Sequence, residues 1–160
     1  HYDSAFYENL VNRIRSVFDN AAITTDVMVG FAGEDDFDFK QSADFVKHIG
    51  FARAHVFAYS RRAGTKAHDM KSQVDQSTKA ARSKEMIKIC DDAALAFHKS
   101  QIGKTVEVLF ETFDNNKYYE GYTKNYTKVK VETPLDIQNK IMNVTITDAF
   151  VSHCLGKIEQ

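Results

Sequence analysis

Apolar residues recur every four positions at the start of the chain. Phe6, Leu10, Ile14 and Phe18, reinforced by Val11 and Val17, predict a helix with one buried stripe, capped by Asp3 or Ser4 and ended at Asp19-Asn20. The pattern then changes. Ala22–Val29 is a short β-branched run closed by Gly30, and it reads as a buried parallel strand. After the turn Gly30–Asp35 the helical period returns at Phe39, Ala43, Val46 and Ile49, and Gly50 stands where a left-handed stop belongs. Ala54–Tyr59 predicts a second strand and Ser60–Ala67 a loop. Helix, strand, helix, strand at this rhythm is α/β architecture with a parallel sheet.

Neither Gly nor Pro interrupts the stretch from about Asp75 to Ser100. Met86, Cys90, Ala93 or Ala94, and Phe97 share one face there, which predicts a long linking helix. Beyond Gly103 the period falls to two. Val106, Val108 and Phe110 alternate with Thr105, Glu107 and Leu109. Tyr118–Thr123, a turn near Lys124-Asn125, and Tyr126–Val131 form a hairpin; Lys140–Thr147 adds a strand and Ala149–Leu155 a last one. Strands this short protect their edges by closing into a small barrel. The expected division is 1–70 α/β, 71–100 linker helix and 101–157 barrel.

At 160 residues the chain can build one domain or two small ones. No apolar run approaches the roughly 20 residues that span a bilayer, and no secretory leader is readable. The expectation is a cytoplasmic protein with no membrane partner. The chain starts at His1 rather than Met, as a piece of a longer protein would. Cys90 and Cys154 stand far apart without C-x-x-C spacing, so they read as reduced core thiols and not as a metal site. His55, inside a predicted strand, reads as a core histidine.

The net charge of −1 conceals an uneven distribution. Residues 61–104 hold ten basic and five acidic side chains, including Arg61, Arg62, Lys66, Lys71, Lys79, Arg82, Lys84 and Lys88. Such a band either attracts a polyanion or solvates a helix face; charge alone leaves both readings open. Three segments carry candidate chemistry. The turn Asp26–Glu34 follows a strand, where glycines admit a ligand to the backbone, although an ordinary β–α turn has the same look. Tyr59–Thr65 lies at the same end of the sheet, and its paired arginines either grip an anion or pair with neighbouring loops. In the hairpin, Tyr126, Lys128 and Lys130 face one way while Thr127, Val129 and Val131 face inward, an arrangement that suits a nucleic-acid strand or a plain solvated face.

ITTDVMVGFAGEDDFDF (23–39), IGFARAHVFAYSRRAGTKA (49–67), IGKTVEVLFE (102–111) and YYEGYTKNYTKVKVE (118–132) occur in this order. Together they closely resemble the radical S-adenosylmethionine (SAM) methylthiotransferases, in particular the branch that modifies N6-threonylcarbamoyladenosine beside the tRNA anticodon. A sister branch acts on an aspartate of a ribosomal protein, and the GYTKNYTKVKVE segment speaks for the tRNA branch. A non-catalytic RNA-binding module is the alternative from another functional class.

The resemblance implies a fold: the C-terminal part of a partial TIM-like radical-SAM barrel over 1–70, then an OB-like TRAM barrel over 101–157 that binds tRNA. It implies SAM and two [4Fe–4S] clusters as cofactors of the whole enzyme, in which a 5′-deoxyadenosyl radical takes hydrogen from adenine C2 before sulfur and methyl are added. By the same resemblance Val29, Gly30, Phe31, Gly33 and Glu34 lie against the adenosyl group, with Phe57, Ala58 and Tyr59 on the next strand. Arg62, Gly64 and Thr65 match the loop at the substrate mouth. The expected RNA contacts are Arg61, Arg62, Lys104, Tyr122, Lys124, Tyr126, Lys128 and Lys130.

Two local departures loosen the loops. Ala32 replaces the Pro of GFPGE, and Ala63 with Lys66 replaces the usual Glu and Pro. The cluster-binding cysteines are also absent, so this stretch by itself is expected to hold no cluster and not to turn over. A two-stranded remnant of a barrel is further expected to leave an open sheet edge and a half-open apolar face, with marginal folding or self-association as the result.

Overall fold

The computed structural model describes residues 2–114 and 117–159. The elements are α1 (Ser4–Val17), β1 (Thr24–Val29), α2 (Asp36–Ile49), β2 (Arg53–Ala58), α3 (Lys66–Asp69), α4 (Gln76–Lys99), β3 (Thr105–Phe113), β4 (Tyr118–Thr123), β5 (Lys128–Glu132), β6 (Lys140–Ala149) and β7 (Cys154–Ile158). They form two compact units, His1–Arg13 with Ile23–Ala93, and Ile14–Ala22 with Ala94–Gln160.

In the first unit β1 and β2 pair in parallel, Thr24 opposite Arg53 and Val29 opposite Ala58. The helix between them is punctuated as its sequence demands. Asp35 accepts from the Asp38 N–H at 2.8 Å in a capping box, and Gly50 ends the helix at φ 64° with its N–H on Val46. The predicted stripe Phe39, Ala43, Val46 and Ile49 is buried against Val11, Val29, Phe51, Met86 and Cys90. Only one face of the sheet is covered. Val27, Ala54 and Val56 pack on this core, while Met28 and Phe57 are half exposed and His55 points outward. The expectation of a fully buried first strand and of a core His55 is thus corrected, because alternation sends every second side chain to the uncovered face.

The first helix also departs from expectation. Phe6, Leu10 and Phe18 are exposed, and the buried side runs through Tyr7 and Val11. Tyr7 meets the edges of Phe45 and Phe51, at centroid distances of 6.0 and 6.2 Å. Both stripes of this helix are apolar, and the one with aromatic partners wins. On α4 the buried face is Lys79, Arg82, Met86, Cys90, Ala94 and His98, so Ala94 of the expected Ala93 or Ala94 is the buried one and His98 takes the place expected for Phe97. The loop expected over 60–67 runs into the short helix α3, capped by Thr65.

In the second unit five strands close a barrel in the order β3-β4-β5-β7-β6. All pairs are antiparallel except β5 with β7, which run parallel. Inward-facing Val108, Phe110, Val129, Val131, Val144, Ile146 and Cys154 fill it. Its walls are close. A methyl on Gly121 would meet Leu109 O at 2.2 Å, and one on Gly156 would meet the Val144 side chain at 2.3 Å. The last strand begins at Cys154 and not Ala149, because residues 150–153 form a turn in which the Phe150 N–H bonds His153 O at 2.8 Å. Tyr126 lies in a turn as well, and the second hairpin strand starts at Lys128. Among the described residues no helix is long and apolar enough to cross a membrane.

Candidate functional site

The end of the parallel sheet is built around two buried cations. Lys79 and Arg82 come from α4 and are each 7% exposed, so neither belongs to the solvated or polyanion-attracting band expected of them. Arg82 donates from Nη1 to Glu34 O at 3.0 Å and to Glu34 Oε1 at 2.8 Å, and from Nη2 to Asp36 at 2.7 Å. Glu34 Oε1 also accepts the Gly30 N–H at 2.9 Å. One carboxylate thereby ties the first residue of the turn to the helix. Burial pulls the Arg82 pKa down, and the bonds to Asp36 and Glu34 more than restore it.

Lys79 works on the other strand. Its ammonium donates to Tyr59 O at 3.1 Å and lies 5.1 Å from the centre of the Tyr59 ring. Its stem fills the space beside Gly30, where an added Cβ would come within 2.5 Å of Lys79 Cγ. Gly30, at φ +70°, therefore makes room for a side chain of its own protein. Gly33 differs: beyond it only Met70 Cε approaches, at 3.9 Å.

The strand-end residues fall into two groups. Val29 is buried, and Gly30 and Glu34 are locked to α4; Phe31, Gly33, Phe57 and Ala58 are exposed. Phe31 stands edge-on to Tyr59 with centroids 5.1 Å apart, and the Tyr59 hydroxyl is buried without a hydrogen-bond partner among the described residues. Arg61 is spent locally, its Nε donating to His68 O at 2.7 Å, while Arg62, Gly64 and Thr65 are exposed, with Thr65 closing the turn onto Arg62 O at 2.8 Å. No sequence motif announced Lys79 and Arg82. The signal was the helix period itself, since counting back from Cys90 and Met86 in steps of four and three lands on both.

On the barrel the candidate RNA residues are neither dispersed nor free. Lys128 reaches Glu120 at 2.6 Å; Lys130 bonds the same carboxylate and lies 3.8 Å from Asp114. These bonds hold the Glu120 carboxyl below its ordinary range and raise the Lys130 ammonium. Lys124 pairs with Glu107, and Lys104 donates to Asn20 Oδ1 at 3.1 Å. The rings are more available. Tyr126 is 85% exposed and held by its turn: its backbone is left-handed at φ 62°, its N–H bonds Thr123 O at 3.0 Å, and Asn125 accepts from Thr127 Oγ1 at 2.9 Å. Tyr122 lies 6.2 Å away, centroid to centroid.

Cys90 and Cys154 are both buried and lie in different units. Burial and then Asp148 push the Cys154 thiol up to about 11. Among the described residues no group of three or more His, Cys, Asp or Glu can hold a metal ion.

The chain is similar to tRNA methylthiotransferases, which match it over nearly its entire length. A tRNA-2-methylthio-N(6)-dimethylallyladenosine synthase of Caldicellulosiruptor saccharolyticus is 35% identical over 159 residues, 99% of this chain and 34% of that protein. The threonylcarbamoyladenosine tRNA methylthiotransferase MtaB of Bacillus subtilis is 32% identical over 152 residues, 92% of this chain and 34% of its own length. A Clostridium tetani synthase of the dimethylallyladenosine type is 35% identical over 150 residues, 92% of this chain and 33% of that protein. The chain thus spans about a third of the length of the curated relatives it matches. No family model matches it.

Proposed function

We propose that the chain is the C-terminal part of a radical-SAM enzyme that methylthiolates N6-threonylcarbamoyladenosine in tRNA, with the barrel holding the tRNA and the strand-end turn contributing to the SAM pocket. The observation that carries the reading is the match to tRNA methylthiotransferases across both units. The threonylcarbamoyl branch rests on the resemblance carried together by residues 23–39, 49–67, 102–111 and 118–132. A dimethylallyladenosine substrate is the second reading, favoured by the names of the other relatives.

The residues present suit an adenosyl group better than a cluster. Phe31, Gly33, Phe57 and Ala58 offer exposed ring and backbone at the end of a parallel sheet, where α/β folds receive ligands. Val29, Gly30, Glu34 and Tyr59 would shape that surface from behind, fixed by Lys79 and Arg82. SAM, when bound, supplies the radical and the methyl group of the reaction. An iron–sulfur cluster does not fit these donors, because the sequence offers two thiols, both buried, where a cluster is held by four.

Titration of the chain with tRNA at two salt concentrations tests the binding role, and absence of saturable binding would remove it. In the parent enzyme, incubation with tRNA carrying either N6 substituent decides the substrate. Methylthiolation confined to the threonylcarbamoyl form is expected, and reaction only on the dimethylallyl form would overturn the branch. A C-x-x-x-C-x-x-C motif in the upstream coding sequence separates the enzyme from a non-catalytic RNA-binding module.

A further inference from the structure

The register of the barrel lines up side chains that the sequence keeps apart. Leu109 pairs with Tyr122, Tyr122 with Lys128, and Val129 with Cys154. Val129 and Cys154 point inward, which sends Lys128 outward; His153, in the turn just before Cys154, is near enough to Lys128 and Lys130 for their charges to bear on its ring. Around the barrel this makes an outward row of Leu109, Tyr122 and Lys128, with His153 at its end. Phe150 then stacks on His153, with ring centres 5.0 Å apart and planes 15° from parallel, and it is 43% exposed. The stack is built in. The Phe150 N–H bonds His153 O at 2.8 Å, and His98 Nδ1 donates to Phe150 O at 2.7 Å.

We infer that Tyr122, Lys128 and the Phe150–His153 stack form a track for an unpaired RNA segment, the rings receiving two nucleobases and the lysine the phosphate between them. The inference rests on the proposed tRNA-binding role of the barrel and names the part of the RNA it takes. Adjacent strands lie about 4.8 Å apart, so Tyr122 and His153, two strands apart, are separated by roughly 10 Å with the lysine midway. A ring–cation–ring order matches bases joined through a phosphate. His153 serves as a neutral ring, since burial, then Lys130 and Lys128, lower its pKa. Charge has little part in the affinity, because both lysines here already share Glu120. Stacking must carry the binding, and its salt dependence is shallow.

The test is fluorescence anisotropy of the whole chain with labelled oligouridine, and with an abasic oligomer of the same length. The double variant Phe150→Leu/His153→Ala should bind oligouridine on the order of tenfold more weakly, at an unchanged salt slope. The abasic oligomer should bind wild type and variant alike, and His153→Tyr should keep the affinity. Should the double variant lose its circular dichroism spectrum, His153→Ala alone is read in its place. Oligouridine affinity within about twofold of wild type, or an equal loss on the abasic oligomer, overturns the track while leaving the RNA-binding role in place. If wild type binds neither oligouridine nor tRNA, both fall.

Discussion

Arg82→Met asks how much the buried cation contributes to the first unit. The methionine keeps most of the stem's volume beside Phe39, over whose ring the guanidinium now lies at 5.5 Å, and removes only the charge and its donors. What remains is Glu34, whose side chain is 12% exposed and retains a single donor, the Gly30 N–H. Stranding one partner of a buried pair costs about 3–5 kcal/mol. The Asp36 arm adds little, because that carboxylate is fully exposed. With the Gly30 bond kept, the low end applies, about 3 kcal/mol. In urea, at slopes of about 1–3 kcal/mol per molar, the midpoint should fall by roughly 1–3 M. Far-UV circular dichroism follows the transition, and Glu34→Gln in the same chain should return part of the loss, because the amide oxygen still accepts from Gly30 while no charge is stranded. A loss of about 1 kcal/mol or less, or no recovery in the double variant, would refute the account and reduce this pair to the rank of a surface contact.

Three further outcomes follow from the geometry. Glu120→Gln releases Lys128 and Lys130 to phosphate, so tRNA should bind more tightly and with a steeper salt dependence in the same titration. Gly121→Ala drives a methyl into the Leu109 carbonyl and should destabilise the barrel by about 1–3 kcal/mol or more, read as loss of β signal at lower urea. The Cys154 thiol, raised from 9.0 to about 11 by burial, gives a stabilising contribution that is full below pH 9 and lost as pH climbs toward 11. Cys154→Ala should flatten that decline, and a thiol reagent at pH 8 should leave Cys154 of the folded chain unlabelled.

The elements were legible wherever a single periodicity ruled. Phe39, Ala43, Val46, Ile49 and Gly50 placed the second helix almost to the residue, and alternation about Val108 and Phe110, with short strands needing closure, gave the barrel. Legibility failed where two answers satisfied the same pattern. The first helix has two apolar stripes, and only the positions of Phe45 and Phe51 decide between them. Lys79 and Arg82 read as a solvated band because a charge does not declare its partner, and theirs lie in turns 20 and 48 residues away. The hairpin lysines pointed outward as expected, but Glu120 becomes their neighbour only through the strand register. Tyr126 was counted into a strand because its left-handed backbone leaves no trace in a two-residue period.

The lone parallel seam of the barrel has a consequence for biosynthesis. The hairpin β4–β5 and the β3–β4 pair assemble from neighbouring sequence, but β7 supplies the contacts to both β5 and β6 that complete the circle. Until residues 154–158 have left the ribosome, the outer edges of β5 and β6 are open templates for a neighbouring chain. Closure is a late, non-local event, slow by the ordinary dependence of folding rate on sequence separation. The barrel is therefore most exposed to mispairing in the interval just before its last strand arrives, and a chaperone that shields strand edges would act there.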